Sequence, residues 1–431
     1  MSEIFIKPVL EIKGQVQVPG DKSISHRAAL FGGMAHGETH ISNFLLGEDC
    51  LSTLGCLKGL GVKWEQQGSE VRIEGRGMEN WVEPDDVLDV GNSGTTIRLI
   101  LGALAGCPFT VTLTGDKSIR SRPMKRVTQP LSRMGAQILG RQGGSLAPLT
   151  ICGGRLQGQS FVTPVASAQL KSALILAGLR AEGETSVTEP YLSRDHTERM
   201  LKGFGVSLAC EGTQVRVKSG QSLQGQKVAV PGDISSAAFF LVLGSLIRKG
   251  ELILPGVGIN PSRTGIIDAL RLMGAQISES ETIEVCGEPQ AALRVSPADL
   301  KGIEIGGSMI PRLIDEIPVL AVAMCLAEGE SVIRNAEELM VKETDRIGTV
   351  VEGLSNLGAK IEKLPDGLRI QGQPWLRGGG KLTSYGDHRL AMTWAVAGLL
   401  SREGVSISGM EAAAVSYPGF LQDLERIKHN A

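Results

Sequence analysis

Six times along the chain, an apolar run rich in alanine and leucine ends at a glycine and gives way to a short alternating segment. The phrases are MAHGETHI, ALAGCPFTVTL, LRAEGETSVT, LIRKGELIL, CLAEGESVI and LSREGVSIS, pivoting on Gly37, Gly106, Gly183, Gly250, Gly329 and Gly404. The runs read as helices and the alternating segments as strands. A glycine just past a helix end fits the left-handed C′ position. A second helical phrase follows in most units: LKGLGV, LSRMGAQI, LKGFGVSL, LRLMGAQI and LSNLGAKI, closing on Gly61, Gly135, Gly205, Gly274 and Gly358. Successive pivots lie 69, 77, 67, 79 and 75 residues apart. The pattern therefore predicts a repeated unit of helix, strand, helix, and strand or hairpin.

Six first phrases meet only five second ones. The sixth unit ends on a helix around Pro418–Lys428, while the strand-like segment Ile4–Val18 belongs to no unit. The simplest closure lets the N-terminal segment complete unit six. One domain is then discontinuous, residues 1–19 plus 232–431, and the other spans 20–231. Both crossings fall on the phrase VPGD, at Pro19–Gly20 and Pro231–Gly232. Two glycine-flanked crossings predict a hinge, and a cleft between domains is a favoured ligand site.

Composition narrows the function classes. The net charge is −2 and aromatics make up 4% of 431 residues, which argues against nucleic-acid and membrane surfaces. Seven scattered cysteines without a CxxC pair read as reduced thiols, not a disulfide framework or zinc site. The start, MSEIFIKPVLEIKG, lacks a signal-peptide pattern, and the longest apolar runs are too short to span a bilayer. The expectation is a soluble cytoplasmic protein.

The helix openings carry the chemistry. GDKSI occurs at Gly20–Ile24, inside GDKSISHR, and again at Gly115–Ile119, inside GDKSIRSRP; VPGDISS at Val230–Ser236 echoes the first. Other first helices open on GNSGTT, ASAQLK, PRLIDE and YGDHR. Helix N-termini present unpaired N–H groups and attract anions. Capping alone can account for GDISS. In GDKSISHR it accounts for Asp21 or Ser23, but not for Lys22 and Arg27 at the same helix start. GNSGTT by itself reads first as a common glycine-rich turn and second as a ligand contact. SIRSRPMKR is either a solvated basic loop or an anion clamp aimed by Pro123 through Arg122, and Arg194 in SRDHTER could clamp an anion too. VKETDR, with Lys342, Glu343, Asp345 and Arg346, is either a solvated helix face or, with Asp315, a source of general acid and base.

Taken together, PGDKSISHR, GNSGTTIRL, SRPMKRV, SAQLKSALILAGL, RDHTE, LIDEIPVLAV, VKETDRI and YGDHRLAM resemble the 5-enolpyruvylshikimate-3-phosphate synthase family over essentially the whole chain, closest to its class II bacterial branch. The resemblance implies an α/β fold, a two-domain inside-out α/β barrel with three βαβαββ repeats per domain around buried helices. It implies transfer of the enolpyruvyl group of phosphoenolpyruvate to the 5-hydroxyl of shikimate 3-phosphate by addition and elimination, in a monomer, with no metal or organic cofactor. It assigns shikimate 3-phosphate to Lys22, Ser23, Arg27, Ser167, Gln169, Arg194, Asp315 and Lys342. It assigns phosphoenolpyruvate to Lys22, Gly94, Arg122, Gln169, Arg346 and Arg389. Asp315 is the implied base, Glu343 the implied acid, and Lys22 shares in catalysis; Asn92, Thr95, Asp345 and His388 are implied neighbours.

There are departures from the family pattern. Ala168 stands where many members have a second serine, and AAAVSYPGF offers no lysine near the C-terminus. Gly94 is glycine, and alanine there is associated with insensitivity to the competitor glyphosate, so that position offers no steric block. Two rival readings remain at this stage. One is a UDP-N-acetylglucosamine enolpyruvyl transferase, whose loop cysteine would fall on Lys117. The other is a non-catalytic anion-binding repeat protein.

Overall fold

The first helix of each repeat is apolar on nearly every face, so it can satisfy the hydrophobic effect only by burial on all sides. In the computed structural model, which describes residues 3–429, these helices are Lys22–Met34 (α1), Gly94–Leu104 (α2) and Ala168–Gly178 (α3), then Ile234–Leu246, Ile317–Cys325 and His388–Leu400. Two second helices matter below, His196–Gly203 and Arg346–Asn356. In chain order the last five of these eight helices are α4 (His196–Gly203), α5 (Ile234–Leu246), α6 (Ile317–Cys325), α7 (Arg346–Asn356) and α8 (His388–Leu400). Every residue from Ile24 to Met34 in α1, and every residue of α6, is buried. Residues 1–2 and 430–431, part of the expected discontinuous domain, lie outside the described residues.

The chain divides into two compact units, each with its own hydrophobic core. One comprises the N-terminal segment to Pro19, Pro231–Ile283 and the chain from Pro289 onward; the other comprises Gly20–Val230 and Glu284–Glu288. The short return of Glu284–Glu288 to the second unit has no sequence signal. It rests on tertiary contacts, the Nδ1 of His196 meeting Glu288 Oε1 at 2.8 Å and Arg199 donating to Gly287 O at 3.2 Å.

Six sheets repeat one plan, in which a central strand has a parallel edge strand on one side and an antiparallel neighbour on the other. In the second repeat, for example, Thr110–Thr114 pairs parallel with Leu88–Asp89 and antiparallel with Leu146–Cys152. The N-terminal segment serves two sheets, not one. Glu3–Ile6 (β1) joins the sixth sheet, antiparallel to Val405–Ser408, as the simplest closure expects. Glu11–Gln15 (β2) instead forms the parallel edge of the fourth sheet, against the strand Lys249–Gly258. Lys227–Ala229 (β3) does the same in the first sheet, parallel to His36–Ser42. Each of these edge strands precedes a first helix that belongs to the other unit, so the chain crosses between strand and helix. Three- to five-residue strands carry too little alternation to reveal which sheet they join.

All five second-phrase glycines, and every pivot glycine except Gly106, have positive φ. Gly106 is glycine for space, since a Cβ there would lie 2.8 Å from the Arg180 side chain. Gly102 permits the close crossing of α2 and α3: its Cβ would stand 2.3 Å from Ala173 O. Among the described residues no disulfide forms, no cluster of three or more His, Cys, Asp or Glu side chains gathers as a metal site, and no helix is long and apolar enough to cross a membrane.

Candidate active site

Five of the six first helices begin on a capping side chain. Asp21, Ser93, Ser167, Asp233 and Asp387 accept from backbone N–H groups two or three residues ahead. Capping by Asp233 suits the plain reading of GDISS. The fifth opening differs, because PRLIDE breaks into a short helix, Ile310–Leu313, and a turn that carries Asp315 before α6 begins.

In the second unit, α1 carries Lys22, Ser23 and Arg27. Lys22 pairs with the buried carboxylate of Asp49. Arg27 is 2% exposed and is held by neutral oxygens: Nε donates to Thr197 Oγ1 at 2.7 Å, and its terminal nitrogens donate to Ser23 O at 2.9 Å and Ser172 Oγ at 3.0 Å. Burial, only partly opposed by the more distant carboxylates of Glu198, Asp21 and Glu288, lowers its pKa to about 10. Beside it, His26 meets Thr53 Oγ1 at 2.7 Å, Thr53 meets Thr96 Oγ1 at 2.7 Å, and Thr96 donates to Ser93 Oγ at 2.6 Å. This hydroxyl chain links the α1 opening to the α2 cap. Burial, offset in part by Asp49, pushes the His26 pKa down to about 3, so the ring is neutral.

Gly94 opens α2. A Cβ at Gly94 would lie 3.1 Å from an Arg98 nitrogen and 3.2 Å from an Arg122 nitrogen, so the absent side chain makes room for two guanidinium groups. Arg122 donates to Asn92 Oδ1 at 2.8 Å and Ser118 Oγ at 3.2 Å, which orients it instead of leaving it as a solvated loop residue. Gln169 joins α3 to α2, accepting from Arg98 and donating to Thr95 Oγ1 at 3.0 Å. Ser167 caps α3, and the half-buried Arg194 lies in the loop before α4.

The first unit carries the remaining candidates. Arg346, 1% exposed, opens α7 and faces three carboxylates: Asp387 Oδ2 at 2.8 Å, Glu343 Oε2 at 2.7 Å and Asp315 Oδ1 at 3.2 Å. Burial works against its charge, but Asp387, Glu343 and Asp315 more than offset this and raise its pKa. Asp387 is fully buried; burial alone would raise its pKa, but the charges of Arg346 and His388 hold it below the usual carboxylate range. Arg389 also approaches Asp315, with its Nη2 3.5 Å from Oδ2 and its Nη1 donating to the Asp315 carbonyl at 3.3 Å. Lys342 keeps some solvent contact, yet burial and the charge of Arg346 lower its pKa against the pull of Asp315.

The first unit thus brings Asp315, Lys342, Glu343, Arg346 and Arg389 into one electrostatic cluster, and the second gathers the other candidates around the openings of α1, α2 and α3. VKETDR is not a helix face: Lys342–Asp345 form the loop before α7, which Asp345 caps and Arg346 opens. Asp345 is bound to the Gly348 N–H and, at 2.7 Å, to Lys363 Nζ, so its role is structural. Among the residues that escaped the sequence reading are Asp387 and Arg98, which sit inside YGDHRLAM and GNSGTTIRL; an acid at a helix cap and an arginine inside an otherwise apolar helix were the available signals.

The family model for EPSP synthase (3-phosphoshikimate 1-carboxyvinyltransferase) matches residues 6–424. A 3-phosphoshikimate 1-carboxyvinyltransferase of Desulfitobacterium hafniense is 69% identical over 424 residues, covering 98% of this chain and 97% of its own. The solved EPSP synthase from Acinetobacter baumannii superposes with a TM-score of 0.89 at 42% identity, covering 99% and 98% of the two chains. The enolpyruvyl transferase NikO from Streptomyces tendae, at 18% identity with a TM-score of 0.80 over 99% and 96% of the two chains, shares the fold.

Proposed function

Because the chain belongs to the EPSP synthase family, we infer that it transfers the enolpyruvyl group of phosphoenolpyruvate to the 5-hydroxyl of shikimate 3-phosphate, with its two units supplying different parts of the chemistry. The observation that carries the division of labour is Arg346 among Asp315, Glu343 and Asp387. Two partly accessible carboxylates beside one fixed cation are equipped to move protons.

In this reading Lys22, Ser23, Arg27, Ser167, Gln169, Arg194 and Lys342 hold shikimate 3-phosphate, and Lys22, Gly94, Arg122, Gln169, Arg346 and Arg389 hold phosphoenolpyruvate. Forked guanidinium groups match phosphate and carboxylate oxygens. Asp315 takes the proton of the 5-hydroxyl as that oxygen bonds to C2 of phosphoenolpyruvate. Glu343 protonates the methylene carbon. Elimination then returns a methyl proton to Glu343 while the C2–O bond to phosphate breaks, and Asp315 gives its proton to the leaving phosphate. Both carboxyl groups end as they began. As Arg346 engages the carboxylate of phosphoenolpyruvate, Glu343 loses its close cation, the condition in which it can carry the proton the addition needs.

The same reading takes the protein as a cytoplasmic monomer with hinge segments at Pro19–Gly20 and Pro231–Gly232. Sedimentation of the purified chain checks the oligomeric state. The deciding experiment is phosphate release from phosphoenolpyruvate in EDTA, with shikimate 3-phosphate, with UDP-N-acetylglucosamine, and with neither. Release with shikimate 3-phosphate alone is expected. Release with the nucleotide sugar alone would transfer the reading to the sister enzyme, and release in no case would favour a binding protein.

A further inference from the structure

A buried ion cluster in the second unit has no part in the chemistry above. Lys171 on α3 and Glu189, just beyond the strand Glu184–Thr188, are 1% and 3% exposed. Lys171 Nζ lies 2.8 Å from Glu189 Oε2 and 2.8 Å from Glu198 Oε1. Burial alone would strip its proton, but Glu198 and Glu189 reverse that and raise its pKa. The cluster is thus a permanent cation between two carboxylates. Such burial is costly, and apolar residues of similar volume would often hold a core as well or better.

The hydrogen bonds of Glu189 point to what the cluster does. Oε1 accepts the backbone N–H of Ser167 at 2.7 Å. Oε2 accepts from Ser193 Oγ at 2.7 Å and from the Ser193 N–H at 3.3 Å. Ser167 is an assigned shikimate 3-phosphate contact, and Ser193 immediately precedes another, Arg194. The next residues along each segment reach the third contact: Ser172 follows Lys171, Thr197 precedes Glu198, and both hydroxyls accept from Arg27. One carboxylate therefore ties the α3 opening to the loop before α4, and Lys171 fixes that carboxylate in place.

We propose that Glu189, clamped by Lys171, is a positioning residue for the acceptor substrate, setting the spacing of Ser167 and Arg194 around shikimate 3-phosphate. This rests on the functional reading above. Both Glu189 oxygens are engaged by Ser167, Ser193 and Lys171, so its effect acts through those partners, is selective for one ligand and leaves proton transfer intact.

The test compares wild type, Glu189→Gln and Ser193→Ala by steady-state kinetics in both substrates and by calorimetric titration with shikimate 3-phosphate alone. Glu189→Gln keeps the shape but loses the charge and one acceptor oxygen. It is expected to raise the KM and Kd for shikimate 3-phosphate tenfold or more, with kcat and the phosphoenolpyruvate KM changed less than threefold. Ser193→Ala removes one donor and should shift the same two constants severalfold; it serves alone if Glu189→Gln does not fold. Equal loss toward both substrates, or unchanged shikimate 3-phosphate binding in a folded variant, overturns the proposal while wild-type turnover keeps the functional reading. A wild type that binds no shikimate 3-phosphate overturns both.

Discussion

Arg27 in the second turn of α1 and Arg346 at the start of α7 are both buried arginines, yet the protein treats them in opposite ways. Arg27 is met by two hydroxyls and a carbonyl, and its pKa falls to about 10. Arg346 is met by three carboxylates, and its pKa rises. Neutral oxygens orient a guanidinium without cancelling its charge, leaving that charge to be matched by an arriving anion. Carboxylates cancel the charge and make the cation part of a proton-handling network. In the proposed reading, Arg27 helps to hold the acceptor's anionic groups, while the carboxylates around Arg346 move the protons.

The largest effect should come from the first unit's carboxylates. Asp315→Ala and Glu343→Gln are each expected to lower kcat by about 10³-fold, within the range of lost acid–base catalysis, while binding changes much less; stopped-flow and steady-state kinetics measure this, and near-normal turnover in either variant removes that residue from the mechanism. Asp387→Asn leaves Arg346 without its buried partner and should cost about 3–5 kcal/mol of stability in urea unfolding.

Acid separates the two units. His26 has a folded pKa of about 3 against an ordinary 6.5, so the unfolded chain binds the proton first and stability falls as pH drops below 6.5. Between pH 7 and 4.5 that amounts to about 2–3 kcal/mol. Asp387, with its pKa lowered from 3.8, contributes stability above 3.8 that is lost only as pH falls further, through its folded pKa. Hydrogen exchange at pH 4.5 should therefore show α1 opening more readily than at pH 7, with α8 unaffected by Asp387; equal loosening of both helices would break the distinction.

Thr197→Val strands the buried Nε of Arg27 and should cost about 1–3 kcal/mol, with a severalfold rise in the KM for shikimate 3-phosphate. The smallest expected effect is that of Gly94→Ala, whose methyl group would press on Arg98 and Arg122 at 3.1 and 3.2 Å. It should raise the KM for phosphoenolpyruvate a few-fold and leave that for shikimate 3-phosphate in place.

Much of this was legible along the chain. Paired glycines after helices announced the repeats, because only glycine takes the left-handed C′ conformation at little cost. Their count made completion of the sixth unit by the N-terminal segment the simplest closure, and β1 alone of that segment does so. Lys22 and Arg27, one and six residues past the Asp21 cap that needs neither, are what raised the expectation of an anion site. These are local signals, carried by residues close in sequence.

What only tertiary structure decided lies at long separation. The strands β2 and β3 exchange sheets across the crossings because edge pairing depends on which backbone is adjacent, and three to five residues do not encode that. Asp387 reaches Arg346 across 41 residues, Thr197 reaches Arg27 across 170, and Glu189 meets Ser167 from 22 residues away. The sequence by itself determined which charges the protein carries and the helix openings where they stand. Whether a given charge meets a carboxylate or a hydroxyl was decided by folding, because the strength of an electrostatic contact depends on distance and burial, and neither is a property of sequence order.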